Sequence, residues 1–205
     1  MNDQCGYTMT TFGKEVMSEN TVKTLKRRLR DGQHTIILAN RTVDKAPIIF
    51  SAVEQYKSEE DITIIHIDLW EVNYFCEAAI NLIDSYLLEE KLSIPKPDIT
   101  NGGSSLINLI SFILEREQLL GRRVLLYIDE FQKLSEFDDM SVSESEGISL
   151  TPGSVFLRRL RTLIQSQTVT LFATGSDASL IDLFSQYHAP FYKAAMPLII
   201  RGDEE

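Results

Sequence analysis

VLLYIDEF, residues 124–131, is the stretch that decides the fold of this chain of 205 residues. Its first five residues are uninterruptedly apolar, which is typical of a strand covered on both faces of a sheet. Two acids, Asp129 and Glu130, follow where that strand should end. Because parallel sheets bind ligands beyond the carboxyl ends of their strands, this pair marks the edge where a functional site is expected.

Four further apolar runs of the same kind alternate with helical patterns along the chain. The predicted strands cover residues 34–38, 62–68, 124–128, 169–173 and 196–200, and the predicted helices cover 18–31, 48–57, 72–90, 106–120, 154–167 and 178–184. Such alternation predicts an α/β fold with a mostly parallel five-stranded sheet and helices on both of its faces. We assign the whole chain, residues 1–205, to a single domain.

Three segments lack the patterns of regular elements. Residues 1–11 are polar and mixed, and we predict a flexible N-terminus. Residues 93–105 are rich in proline, glycine, asparagine and serine, which predicts a loop. Residues 135–153 are acidic and rich in serine, and we predict a mobile loop because they offer little apolar surface to bury.

The composition narrows the possible partners. The chain carries a net charge of −10, whereas nucleic-acid-binding domains usually have a basic face. Its basic clusters, residues 23–30 and 158–161, are best interpreted as solvated helix faces. Direct nucleic-acid binding is therefore disfavoured, and a basic partner is favoured over an acidic one. No run reaches transmembrane length and no secretory signal is visible, so we predict a cytoplasmic protein without membrane contact.

The acids at the end of residues 124–131 resemble the Walker B motif of P-loop ATPases. The resemblance implies that Asp129 holds the Mg²⁺ shell and that Glu130 orients or deprotonates the attacking water. The alternative is that the strand simply ends in acids at the solvent boundary. The next strand ends in ATGS, where Thr174 or Ser176 would be the polar residue that senses the γ-phosphate; the alternative there is a turn built on Gly175.

Several motifs in order resemble one family, the AAA+ ATPases of the prokaryotic "archaeal ATPase" type, close to the STAND branch. They are FGKE at 12–15, YIDEFQKL at 127–134, and the long stretch 158–200 with its "LF" helix and "APFY" turn. The resemblance implies a three-layer P-loop NTPase core, with a helical lid and often a winged-helix domain after the last strand. Since the sequence stops at Glu205, the lid is expected to be absent or truncated. We further expect Asp129 and Ala39 at the carboxyl ends of adjacent strands.

The phosphate-binding loop departs from the family pattern GxxxxGK[ST]. The corresponding residues 39–47 read ANRTVDKAP, with the register set by Lys45. Ala39 and Asp44 stand where the pattern has glycine, and Asp44 also brings a negative charge towards phosphate. Ala46 lacks the hydroxyl that would hold Mg²⁺, and Pro47 lacks an N–H donor. The vestigial loop comprises Asn40, Arg41, Thr42 and Lys45.

Other chemistry-bearing residues fit no second site in the sequence. The three histidines are scattered over three elements, and we interpret them as ordinary core or surface residues. Trp70, Tyr74 and Phe75 are predicted to pack under the helix 72–90. The arginines of 158–161 lie where relatives carry arginines that face a neighbouring subunit, but we favour a solvated helix face or a pairing with the acidic loop.

Three functional hypotheses follow from these residues. The first is a non-hydrolysing module that has no cofactor and binds a related ATPase subunit or an effector, with oligomers possible. Its two acids would then persist because they anchor the loop to arginine or backbone donors. The second is a divergent ATPase in which Asp129, Glu130 and Lys45 still act on ATP and Mg²⁺. The third is an accessory subunit of a nucleic-acid-associated complex.

Overall fold

The computed structural model describes residues 11–39, 45–90, 101–140, 151–166, 168–175 and 178–200. Along the chain the elements are α1 (Thr11–Arg30), β1 (Thr35–Ala39), α2 (Ala46–Lys57), β2 (Ile62–Asp68), α3 (Phe75–Glu90), α4 (Gly102–Leu119), β3 (Arg123–Asp129), a 3₁₀ turn (Phe131–Ser135), α5 (Pro152–Ser166), β4 (Val169–Gly175), α6 (Ala178–Ser185) and β5 (Met196–Ile200). Within this part of the chain, no helix has the length and apolarity needed to cross a bilayer.

The five strands form one sheet in the order β2-β3-β4-β1-β5, and every neighbouring pair is parallel. This confirms the predicted α/β class. The expectation that Asp129 and Ala39 end adjacent strands is wrong, because β4 lies between β3 and β1. An apolar run identifies a buried strand but carries no information about which strand it pairs with.

Helices cover both faces and make a three-layer domain. Helices α1 and α2 bury residues such as Leu25 and Ile49 against the face that carries Tyr127. Helices α3 to α6 bury residues such as Ile110 against the face that carries Leu126. Strand β3 is therefore apolar at consecutive positions, since successive side chains enter opposite cores. Burial of each large apolar side chain contributes about 1.5–3 kcal/mol to the free energy of unfolding.

Helix α4 begins earlier than the sequence suggested. Residues 102–105 were predicted as loop, but α4 starts at Gly102. A Cβ added at Gly102 would lie 2.1 Å from Oδ2 of Asp139 and 2.4 Å from the backbone nitrogen of Cys76. Glycine is needed here because of this close approach, and its helix-breaking tendency is overridden by packing.

The acidic segment 135–153 is packed where the structure describes it. Phe137 and Met140 are buried, and Asp139 caps the start of α3 by accepting the N–H groups of Phe75 at 2.6 Å and Cys76 at 2.8 Å. Residues 141–150 lie outside the described residues, so the mobility of that stretch stays a prediction. Residues 1–10 of the predicted flexible N-terminus also lie outside the described residues, so their flexibility stays a prediction. Helix α1 starts at Thr11, earlier than the start at residue 18 that the sequence predicted.

The aromatic residues after β2 do not share one environment. Phe75 is fully buried, as predicted. The prediction that Trp70 and Tyr74 pack under α3 is wrong, because their exposed fractions are 64% and 47%. Helix α3 starts only at Phe75, not at 72, so both residues lie in the loop before it and outside the apolar stripe of the helix.

Candidate functional site

Polar residues from β3 and β4 meet at the carboxyl edge of the sheet. Strands β3 and β4 are neighbours, with Ile128 paired to Ala173, so Asp129 and Thr174 follow at the same level. The Thr174 hydroxyl donates a hydrogen bond to Oδ1 of Asp129, which also accepts the backbone N–H of Glu130 at 3.0 Å. Two of the residues that sequence reasoning singled out therefore touch each other.

Lys45 reaches this pair of acids from the start of α2. Its Nζ lies 3.4 Å from Oε1 of Glu130 and 3.9 Å from Oδ1 of Asp129. The Lys45 side chain is 11% exposed and that of Glu130 is 8% exposed. The ammonium is thus shared between two carboxylates in a nearly dry site, where an ion pair is costly to break.

Glu130 has an unusual backbone. Its φ of 53° and ψ of 45° lie in the left-handed region, which typically costs a residue other than glycine about 1–3 kcal/mol. The side chain is held by Lys45 and by the Nε2 amide of Gln132, which donates to Oε2 at 2.6 Å. Its donors are therefore a lysine and a glutamine side chain, whereas sequence reasoning expected arginine or backbone groups.

Gln132 belongs to this cluster and was missed by sequence reasoning. It is buried on the 3₁₀ turn, two residues after Glu130. A Cβ added at Gly175 would lie 2.3 Å from Oε1 of Gln132, so glycine at the end of β4 leaves room for the amide. Two residues at the end of β4 are therefore explained by their neighbours, Thr174 by Asp129 and Gly175 by Gln132.

Of the predicted phosphate-binding loop, residues 39–47, the structure describes Ala39 and residues 45–47. Asn40, Arg41, Thr42 and Asp44 lie outside the described residues, and so does the sensor candidate Ser176. Ala46 and Pro47 form the first turn of α2, and the proline is compatible with the helix because N–H groups at this end have no helical partner. Ala39 is buried with the core of α1 and α2, so its methyl group occupies space at the end of β1.

The second strand adds an acid and a histidine to the same edge. Asp68 is level with Asp129 in the register of β2 and β3, and it accepts the backbone N–H of Trp70 at 2.9 Å. His66 stacks on Tyr127 with ring centroids 4.5 Å apart. Burial lowers the pKa of His66, although the charges of Asp68 and Asp129 oppose this shift.

The remaining histidines and arginines lie elsewhere. His34 accepts the backbone N–H of Leu171 at 3.0 Å, and burial lowers its pKa. Arg161 donates to the carbonyl of Pro190 at 2.8 Å, and Arg159 to Oγ of Ser104 at 3.4 Å, so both make contacts within this chain. In the described ranges, no three His, Cys, Asp or Glu side chains are grouped so that they could hold a metal by themselves.

The fold is similar to that of several solved proteins, of which one is a Walker-type ATPase. The ORC2 protein of Aeropyrum pernix, solved with ADPNP and ADP, has 12% identity and a TM-score of 0.60 over 98% of this chain. A Walker-type ATPase of Pyrococcus abyssi has 17% identity and a TM-score of 0.56 over 91% of it. Drosophila ORC bound to DNA has 10% identity and a TM-score of 0.56 over 93% of it.

The matches cover only part of those proteins. The chain spans 50%, 54% and 47% of their respective lengths. No protein-family model matches the chain, and no curated protein matches its sequence. From the parallel sheet, the acids after β3 and these structural matches, we conclude that the chain has the P-loop NTPase fold of the AAA+ ATPases.

Proposed function

We propose that this chain is an AAA+-type domain with a degenerate phosphate loop. In this proposal it does not hydrolyse ATP, and it acts as a protein-interaction or regulatory module of a larger assembly. The observation that carries the proposal is the position of Lys45, whose Nζ is 3.4 Å from Glu130 and 3.9 Å from Asp129. The cation that P-loop enzymes direct at the β- and γ-phosphates is paired here with the two acids that would serve the metal and the water.

This pairing opposes nucleotide binding for an electrostatic reason. A bound triphosphate needs the ammonium for itself, and drawing Lys45 away would leave Glu130 as a buried charge without its cation. Removing one partner of a buried ion pair typically costs about 3–5 kcal/mol. Phosphate binding would have to supply that free energy before any net affinity appears.

The loop residues themselves add to this argument. Ala46 has no hydroxyl to offer to Mg²⁺, and Pro47 has no N–H to offer to phosphate. The methyl group of Ala39 is packed in the core where the family pattern has glycine. The residues of this site therefore fit Mg·ATP poorly.

A divergent, active ATPase is the second candidate. Its support is that Lys45, Asp129, Glu130 and Thr174 meet at one edge of the sheet. In that case Asp129 would hold Mg²⁺ and Glu130 would direct the water, while Thr174 would sense the γ-phosphate. The two candidates predict opposite results for nucleotide binding by the unmodified chain.

The proposed setting is an assembly with other proteins. Two of the similar structures are ORC proteins, and one of those is bound to DNA. We propose that a related ATPase subunit or an effector is the partner, in the cytoplasm, and that the chain can form part of an oligomer. The net charge of −10 argues that any nucleic acid would be contacted by other subunits of such an assembly.

Thermal unfolding with a repaired loop tests the proposal. Mg·ATP should leave the melting temperature of the unmodified chain unchanged, since only a ligand that binds the folded state raises it. The variant Ala39→Gly, Asp44→Gly, Ala46→Thr, Pro47→Ser should gain stability with Mg·ATP. Adding Glu130→Gln to it should alter hydrolysis without abolishing binding. ATP hydrolysis by the unmodified chain that is lost on Glu130→Gln would establish the second candidate instead.

A further inference from the structure

The loop between β2 and α3 presents two aromatic side chains to solvent. We name residues 69–74 the aromatic loop. Trp70 is 64% exposed and Tyr74 is 47% exposed, whereas Leu69 and Val72 between and beside them are buried. Tryptophan and tyrosine are the residues most enriched among those that dominate binding energy at protein interfaces. Their exposure on a loop anchored by buried neighbours is therefore a feature to explain.

The aromatic loop is held in one conformation by hydrogen bonds. The N–H of Trp70 donates to Asp68 at 2.9 Å, and the N–H of Val72 donates to the carbonyl of Leu69 at 3.2 Å. The carbonyl of Trp70 accepts Nζ of Lys133, and the N–H of Asn73 donates to Glu77 at 2.8 Å. A partner would meet a preorganised surface, so little ordering free energy would be lost on binding.

The surroundings of the loop are acidic. Asp68 and Glu71 are exposed within or beside it. Lys133 of the 3₁₀ turn touches the loop. The segment that follows this turn touches α3 through Asp139 and exposes Glu136 and Asp138. Glu71, Glu136 and Asp138 form no ion pair with any other described residue. Lys133, a cation beside the loop, donates to the carbonyl of Trp70 and pairs with none of these three carboxylates.

We infer that the aromatic loop is the docking site for a basic, arginine-bearing segment of a partner protein. An indole face is the best aromatic partner for a guanidinium, and carboxylates accept its N–H groups in pairs. The acidic rim repels the phosphates of a nucleic acid by the same charge that attracts arginine. This inference rests on the proposed interaction function and names the surface and the chemistry of the partner. The experiment that tests it needs no nucleotide.

Intrinsic fluorescence reports on this surface directly, because Trp70 is the only tryptophan of the chain. The probe is a short peptide of alternating arginine and glycine, titrated into the full chain at low salt. We expect a saturable change in tryptophan emission that weakens as salt is added. The matched peptide with glutamate in place of arginine should give no change.

Variants assign the binding to the loop, with anisotropy of a dye-labelled arginine peptide as the readout. Trp70→Ala should weaken binding by about thirtyfold, as expected for a residue that dominates an interface. Glu71→Lys should weaken it as well. The matched controls, Tyr187→Ala at a tyrosine that is 75% exposed and Glu54→Lys at a glutamate side chain that is 70% exposed, should bind like the unmodified chain. Circular dichroism on each variant checks that the fold is kept.

Other results would overturn the inference. One is that the arginine peptide causes no saturable change in fluorescence. Another is that the control variants lose as much affinity as the loop variants. A third is that a single-stranded oligonucleotide binds more tightly than the peptide. A change in emission with protein concentration alone would assign the loop to a second copy of the chain, which also overturns it. ATP hydrolysis by the unmodified chain together with loop-specific peptide binding would refute the non-hydrolysing function and leave the docking site standing.

Discussion

Nζ of Lys45 lies 3.4 Å from Oε1 of Glu130, although the two residues are 85 positions apart in the chain. The contact joins the first turn of α2 to the turn after β3, and both side chains are buried. Glu130 adopts its left-handed backbone conformation at this point, and Lys45 and Gln132 both hold its carboxylate. Each charge of this cluster therefore has a partner within the protein, whereas Oε1 of Gln132 is buried without a hydrogen-bond partner among the described residues.

Neutralising Lys45 should destabilise the fold. The variant Lys45→Met leaves Glu130 and Asp129 without their shared cation, and we expect a loss of about 3–5 kcal/mol in the free energy of unfolding. Urea denaturation measures it. The control is Lys57→Met on the same helix, an exposed lysine paired with Glu54, where about 0.5 kcal/mol or less is expected.

A double variant separates charge from packing at this pair. Lys45→Met combined with Glu130→Gln should recover part of the lost stability, because the buried charge is removed with its partner. Equal stability of Lys45→Met and the unmodified chain would show that the ion pair does not hold the site together.

The space at Gly175 should be needed for Gln132. A methyl group at this position would lie 2.3 Å from Oε1 of Gln132 and 2.9 Å from Cδ2 of Leu180. Gly175→Ala should therefore cost about 1–3 kcal/mol of unfolding free energy. The cost should be smaller in a Gln132→Ala background, because the clashing amide is gone. Additive effects of the two changes in chemical denaturation would contradict the predicted contact.

Stability should fall in mildly acidic solution because of two half-buried histidines. Burial lowers the pKa of both His34 and His66 in the folded chain, so the unfolded chain binds protons first as the pH falls. The free energy of unfolding should be highest above about pH 6.5, the ordinary histidine value, and decrease towards the lowered folded pKa. In His66→Phe, which keeps a ring against Tyr127, the slope below that pH should be reduced. Identical slopes in the two proteins would rule out His66 as a contributor.

The acidic stretch 141–150 should exchange its amide protons quickly. Its serine-rich and acidic composition offers little to bury, so ordering it would cost entropy without a compensating gain. Slow exchange is expected at the N–H groups of Phe75 and Cys76, which donate to Asp139 just before this stretch. Strong protection of 141–150 in the isolated chain, measured by hydrogen exchange, would contradict the prediction.

The central strands β3 and β4 were readable from the sequence because they are covered on both faces, whereas the edge strand β5 was recognised by its apolar residues although it is largely exposed. Consecutive buried residues such as Leu125 and Leu126 can only be accommodated in that way, and all five predicted strands are present. The strand order was not readable, so the adjacency of Asp129 and Ala39 was predicted wrongly. The start of helix α4 was predicted too late, because glycines such as Gly102 are typical of loops. Its close approach to Asp139 depends on tertiary packing that the local sequence does not show.

The candidate site was only half visible in the sequence for a similar reason. Asp129, Glu130, Thr174 and Lys45 follow strands or a motif register, so local patterns identify them. The pairing of Lys45 with Glu130 and the role of Gln132 depend on contacts between distant segments, which no local pattern encodes. The exposure of Trp70 was missed because an aromatic residue near an apolar stripe is more often part of a core.

Isothermal titration of the unmodified chain with Mg·ATP tests the central claim most directly. The proposal predicts no specific heat of binding at micromolar concentrations, because Lys45 is held by Glu130 and Asp129. In addition, Ala46 has no hydroxyl for Mg²⁺ and Pro47 has no N–H for phosphate. The repaired-loop variant, titrated in parallel, should show measurable binding. A clear one-to-one isotherm with the unmodified chain would contradict the account and show that the domain binds nucleotide.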